Sequence, residues 1–129
     1  MRFIVDGMTV IGARPDGWWR DRGAARRRLV VDLAPLVVDG AEVTVVFDGR
    51  PGVGEEGQAM AVGMEVRFAP GGPDAADDVI VEMMRTESGR EDTVVITSDR
   101  ALADRVRRLG ITVEGTRAFR ARLAGPEPT

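Results

Sequence analysis

The sequence predicts an α/β protein built on a mainly parallel five-stranded sheet with helices on both faces, and two observations carry that prediction. Three runs of β-formers each end in an aspartate: Phe3-Ile4-Val5-Asp6, Val43-Thr44-Val45-Val46-Phe47-Asp48 and Thr93-Val94-Val95-Ile96-Thr97-Ser98-Asp99. Near-continuous apolar runs of this kind mark strands buried on both faces. Segments with helical spacing lie between the runs, the alternation expected of a parallel sheet. In such a sheet the carboxyl ends of the strands share one rim, so aspartates far apart in the chain are expected to converge there.

Taken in order, the first strand leads to turn chemistry at Gly12-Ala13-Arg14-Pro15-Asp16-Gly17. A helix follows over residues 21–38, with Ala25, Leu29, Leu33 and Leu36 at helical spacing and Arg26, Arg27, Arg28 and Asp32 on much of the other face. Pro35 is expected to kink or end it near Ala34, because an interior proline costs a hydrogen bond. The second strand spans Glu42 to Phe47. Residues 50–57 are a glycine-rich loop, with a short helical turn expected near Gln58 to Ala61; the loop has no lysine and so is no phosphate loop. Met64 to Phe68 alternates like an edge strand with one wet face, and Pro70-Gly71-Gly72-Pro73 stops it. Asp74 is expected to cap a helix from Ala75 to Met84 that ends near Ser88-Gly89. The fourth strand, Thr93 to Thr97, feeds a helix from Arg100 to Leu109 with Ala103, Val106 and Leu109 inward, stopped by Gly110. A short fifth strand at Ile111 to Val113 and a last helical turn or two at Thr116 to Leu123 complete the pattern.

With 129 residues, 43% of them hydrophobic, the chain suits one globular domain, expected over residues 1–123, with a flexible tail at 124–129. It contains no cysteine and no histidine. Disulfides, thiolate or imidazole metal sites, a Ser-His-Asp triad and histidine acid/base catalysis are therefore excluded. All 18 basic residues are arginine, which removes any mechanism needing a lysine. Neither a signal peptide nor a membrane-length apolar run is visible, so a cytoplasmic location is expected. The net charge of −3 hides an asymmetry: residues 14–28 carry six arginines against Asp16 and Asp21, and residues 100–122 carry seven against Asp104 and Glu114. Residues 29–99 between them hold fifteen carboxylates against four arginines.

Aspartates gathered on one rim repel each other, and a divalent cation relieves that repulsion. With only oxygen donors available, magnesium or manganese is favoured over zinc, and hydrolysis of a phosphodiester is the matching reaction class. Helix geometry separates Asp77 from Asp78 by about 100°. Asp77 shares its face with Ile80, Val81 and Met84 and is the expected inward ligand, whereas Asp78 lines up with Glu82. The same residues also have plain structural readings. Asp77 and Asp78 suit the positive end of a helix, Asp99 or Ser98 suits an N-cap, and Asp6-Gly7 and Asp48-Gly49 are ordinary turn pairs.

Four pieces in order, Ile4-Val5-Asp6-Gly7 with Val10, Val46-Phe47-Asp48-Gly49, Ala75-Ala76-Asp77-Asp78-Val79-Ile80 and Thr97-Ser98-Asp99-Arg100, resemble the YacP-like branch of the NYN-domain family, whose fold belongs with the PIN-like nucleases. The resemblance implies a three-layer fold with strand order 3-2-1-4-5 and a ribonuclease dependent on Mg2+ or Mn2+. It assigns catalytic and metal-holding roles to Asp6, Asp77 and Asp99, with Asp48 nearby and Thr9, Asp78, Thr97 and Ser98 in support. RNA is the implied partner, single-stranded or mRNA, tRNA or rRNA, and ribosome association is a further expectation. The family usually has asparagine three residues after the first aspartate; here that position is Thr9, one hydroxyl in place of an amide.

The two arginine-rich segments would hold an RNA backbone through Arg14, Arg26, Arg27, Arg100, Arg105 and Arg108, or else form two solvated helix faces. Trp18 and Trp19 would stack on unpaired bases or close over the core. The rival functions are an RNA-binding module without catalysis, suggested by Thr9, and a phosphatase or phosphoacceptor with aspartates at strand ends. The last lacks its lysine, and Met8 stands where a second phosphatase aspartate is needed.

Overall fold

The computed structural model describes residues 1–13, 17–52, 57–58, 62–72, 74–87 and 90–124. Five strands, β1 (Arg2–Asp6), β2 (Glu42–Asp48), β3 (Glu65–Ala69), β4 (Thr93–Ile96) and β5 (Thr112–Glu114), form one sheet in the order β3-β2-β1-β4-β5. All four pairings are parallel. β1 is the central strand: Arg2 through Asp6 pair with Glu42 through Val46 on one side, and Arg2 through Val5 with Thr93 through Ile96 on the other.

Successive side chains of a strand point to opposite faces, and each face is closed by its own helices. Phe3, Val5, Val43, Val45 and Phe47 share a core with α1 (Gly7–Gly12), α2 (Arg22–Val38) and α5 (Thr116–Leu123), contributed by Val10, Leu29, Leu33 and Phe119 among others. Ile4, Val46 and Val95 face α3 (Ala75–Thr86) and α4 (Arg100–Arg108), where Ala76, Ile80, Met83, Met84, Leu102 and Val106 complete a second core. The strand order reverses between β1 and β4, so the crevice at their carboxyl ends is where such a sheet opens a ligand site.

Three local expectations are corrected. The chain turns directly from β1 into α1 at Gly7, a helix hidden in sequence because Val10 and Ile11 read equally well as strand. Pro35 neither ends nor breaks α2, which continues to Val38 and closes with the Asp39 N–H on the Pro35 carbonyl at 3.0 Å. The proline lies in the last turn, on an exposed face, and the carbonyl it deprives belongs to the exposed Val31. Asp74 occupies the N-cap of α3 but makes no side-chain cap bond. That bond comes from β2 instead: the Ala76 N–H donates to Asp48 Oδ1 at 3.2 Å. Of the expected tail at 124–129, Ala124 is the C-cap of α5; the rest of it, the helical turn beyond Gln58 and the stop at Ser88-Gly89 lie outside the described residues.

The turn from β1 into α1 requires a residue without a side chain. A Cβ on the buried Gly7 would overlap the Phe47 ring and stand 3.1 Å from Val45 Cγ1. Gly7→Ala is expected to destabilise the fold by about 1–3 kcal/mol, as overpacking does. A lower urea midpoint at unchanged m-value is the reading that checks it.

Candidate active site

The rim is organised by the last residue of β1. Asp6 is only 3% exposed, and its Oδ2 accepts a hydrogen bond from the Thr97 hydroxyl at 2.7 Å. The parallel register places Ile96 beside Val5, so the next residue along β4 arrives beside Asp6. The Thr97 oxygen also accepts the Asp99 N–H at 3.1 Å, so one hydroxyl links two of the acidic residues. Thr9 adds a second tie: its hydroxyl donates to the Asp6 carbonyl at 3.3 Å and accepts the Ser98 N–H at 3.4 Å.

Asp48 and Asp99 are fixed by helix ends. Asp99 Oδ1 accepts the Leu102 N–H at 3.1 Å and caps α4, as Asp48 caps α3. The structural reading of Asp99 and its place on the rim are thus compatible. Each of these carboxylates thus spends an oxygen on the scaffold: Asp6 on Thr97, Asp48 on the Ala76 N–H and Asp99 on the Leu102 N–H.

Asp77 is the residue on which the acidic field falls most heavily. Its pKa is pushed from 3.8 to about 6, first by burial and then by repulsion from Asp99, Asp6, Asp74 and Asp48 in that order. Asp6 is also raised, mainly by burial; the Thr97 and Thr9 hydroxyls oppose the shift, and Asp48 and Asp99 add to it. Acids from β1, β2, α3 and the β4–α4 turn therefore share one field. Asp74 was not anticipated as a member, although it stands three residues before Asp77, one helical turn away.

The other predicted residues are distributed differently. Asp78 is exposed and pairs with Arg105 at 3.1 Å, tying α3 to α4 outside the acidic group. The Ser98 hydroxyl turns toward α5, where it meets the Thr116 hydroxyl and accepts the Thr116 N–H at 3.1 Å. Arg100 opens α4 beside Asp99, whereas Arg108 ends that helix about 12 Å further along, at 1.5 Å per residue. Arg26 lies over the Phe68 ring at 5.8 Å, and the Arg27 carbonyl accepts from the Gln58 amide at 3.2 Å. Arg14 lies outside the described residues. The tryptophans divide: Trp18 packs against the core, and Trp19, edge-on to it at 6.1 Å, is 56% exposed.

Among the described residues no three acids converge closely enough to enclose a metal ion directly. The donors are nonetheless all oxygen and mutually repelling, and they fit a hard divalent cation that keeps part of its water shell.

A parallel α/β fold with a carboxylate rim at its switch point defines the class, and the chain belongs to the YacP-like NYN domain family, whose model matches residues 3–127. Among solved structures it is similar to a tryptophan-to-leucine mutant of Rae1 (YacP) from Bacillus subtilis. That likeness has a TM-score of 0.74 at 22% identity and covers 95% of this chain and 74% of that one. A PilT N-terminus domain protein from Sulfolobus solfataricus also matches, at 11% identity over 100% of this chain and 98% of that one, with a TM-score of 0.42, too low to bear on the fold. No curated protein matches.

The raised carboxyls fix the sign of a pH effect. Asp77 binds its proton more tightly folded than unfolded, so its contribution to stability is full below about pH 4 and is lost as pH rises through about 6. In EDTA the melting temperature is expected to rise between about pH 7.5 and pH 5. Asp77→Asn should be the more stable protein at pH 7.5 and should flatten that rise, as followed by circular dichroism at both pH values.

Proposed function

We propose that this protein is a divalent-metal-dependent ribonuclease that hydrolyses RNA phosphodiester bonds at the rim of Asp6, Asp77 and Asp99, with Asp48 beside them. The single observation that carries the reading is the gathering of acids from β1, β2, α3 and the β4–α4 turn around Asp77, whose pKa is raised first by burial and then by repulsion from Asp99, Asp6, Asp74 and Asp48. Membership of the YacP-like NYN domain family supports the same class. A bound Mg2+ or Mn2+ would supply positive charge to the scissile phosphate and lower the pKa of an attacking water.

The chain's own contribution is to keep the carboxylates in place. Thr97 holds Asp6, and the first turns of α3 and α4 hold Asp48 and Asp99. Asp77 has no such anchor among the described residues, and burial with the repulsion of its acidic neighbours raises its pKa to about 6, so a neighbouring cation would relieve it. Arg100 and the arginines of α2 would draw the RNA backbone toward this rim by long-range attraction. A cytoplasmic setting is consistent with such a substrate, and among the described residues no helix is long and apolar enough to cross a membrane.

One observation favours a second reading, an RNA-binding module without cleavage. The Thr9 hydroxyl is spent on the Asp6 carbonyl and the Ser98 amide, leaving no amide-like group at the family's asparagine position.

Three experiments test the readings. Incubated with single-stranded and structured RNAs, the protein is expected to cleave with Mn2+ or Mg2+ and not with EDTA. Asp6→Asn should abolish cleavage while keeping the far-ultraviolet circular dichroism of the wild type; a variant that fails to fold would instead mark Asp6 as structural. Thr9→Asn is expected to raise the cleavage rate by about tenfold or more, the scale on which groups orienting a metal site act, with little change in RNA affinity. RNA binding without metal-dependent cleavage in both wild type and Thr9→Asn would select the module.

A further inference from the structure

A groove of about 850 Å³ runs between α2 and α5, lined by Val31, Pro35, Ser98, Arg117 and Leu123 among others. Ser98, the residue between Thr97 and Asp99 in the chain, forms part of its lining, which brings the groove next to the acidic rim. From there it follows α5 for about 12 Å, eight residues at 1.5 Å each. The walls have two characters. Val31 is 60% exposed, and with Pro35 and Leu123 it makes an apolar surface. Beside it the exposed Arg117 has no ion-pair partner among the described residues.

The charge of the groove points to an anion. Its carboxylate, Asp32, is paired with Arg120 at 3.0 Å, and Arg120 is itself held by the Val10 carbonyl at 3.3 Å. Arg117 is left as the uncompensated charge. An apolar wall beside an unpaired guanidinium complements a nucleotide, whose base has an apolar face and whose phosphate is anionic. Bases inside a duplex are not open to such a wall, whereas unpaired bases are.

We propose that this groove is a nucleotide subsite: the base of an unpaired ribonucleotide flanking the scissile linkage lies against Val31, Pro35 and Leu123, and its phosphate meets Arg117. The assignment rests on the ribonuclease reading and adds to it the requirement for a single strand on the α2–α5 side of the cut. It also gives the exposed valine a use that packing does not.

The test is the affinity of a fluorescein-labelled single-stranded oligoribonucleotide, read by anisotropy in EDTA so that nothing is cleaved. Val31→Glu and Arg117→Ala are each expected to weaken binding about tenfold, within the range of a lost base or phosphate contact. Arg117→Ala should also lower the slope of log affinity against log salt by about one. Val38→Glu, the same change at an 84% exposed valine of the same helix outside the groove, should leave affinity unchanged. All three sites are exposed, and matching melting temperatures establish that the variants are folded. Val31→Glu binding as tightly as Val38→Glu overturns the subsite. If the wild type still cleaves RNA with manganese in that case, the subsite alone is lost; if it neither binds nor cleaves RNA, both readings fall together.

Discussion

A carboxylate buried at the end of the central strand is the constraint around which the rim is arranged. Burial penalises the charged form of Asp6, and the hydroxyl of Thr97 at 2.7 Å is its closest compensation. That hydroxyl is available only because β1 and β4 pair in parallel with Val5 opposite Ile96. The helices then do for the neighbouring acids what the hydroxyl does for Asp6. α3 and α4 both begin at this rim, and their unpaired N–H groups and positive dipole ends take up Asp48 and Asp99. The acids coexist because the backbone, rather than a lysine or a histidine, shares their charge.

Much of this was legible in the sequence, and the parts that were not share a cause. Strands ending in Asp6, Asp48 and Asp99 stand out because a run of β-formers has few other uses, and the resemblance on those same residues supplied the strand order. Helix phase sets Asp77 and Asp78 on different faces, and Asp78 lies exposed on its pair with Arg105. Local pattern fails where the partner comes from another element. Asp74 stands at the usual capping position, yet the cap of α3 is Asp48, 28 residues away from Ala76. Ser98 reads as a helix cap or a site residue, but its hydroxyl is drawn to Thr116, 18 residues on. α1 was missed because six residues are too few for periodicity to separate helix from strand. The α2–α5 groove was invisible for the same reason as the Asp48 cap, since neither helix alone contains it.

Arrangement of the rim also divides stability from chemistry. Anchored oxygens hold the scaffold together, and the charge of the same carboxylates holds it apart by repulsion. Asp77 feels that repulsion from Asp99, Asp6, Asp74 and Asp48, on the first turn of a helix whose own dipole favours it as an anion. The site is strained electrostatically rather than in its backbone: no residue other than glycine has a positive φ among the described residues.

The central strand is the first to leave the chain's start, yet one of its neighbours is nearly the last. Arg2 pairs with Thr93, and the hydrogen bond between Asp6 and Thr97 closes a loop of 91 residues. Contacts so distant in sequence are slow to form, because the entropy of closing the loop is spent before the contact rewards it. Until β4 docks, Asp6 has neither its hydroxyl partner nor Asp99 beside it. The acidic centre thus depends on a contact between residues 91 positions apart, and a chain without that pairing has the carboxylates but not the site.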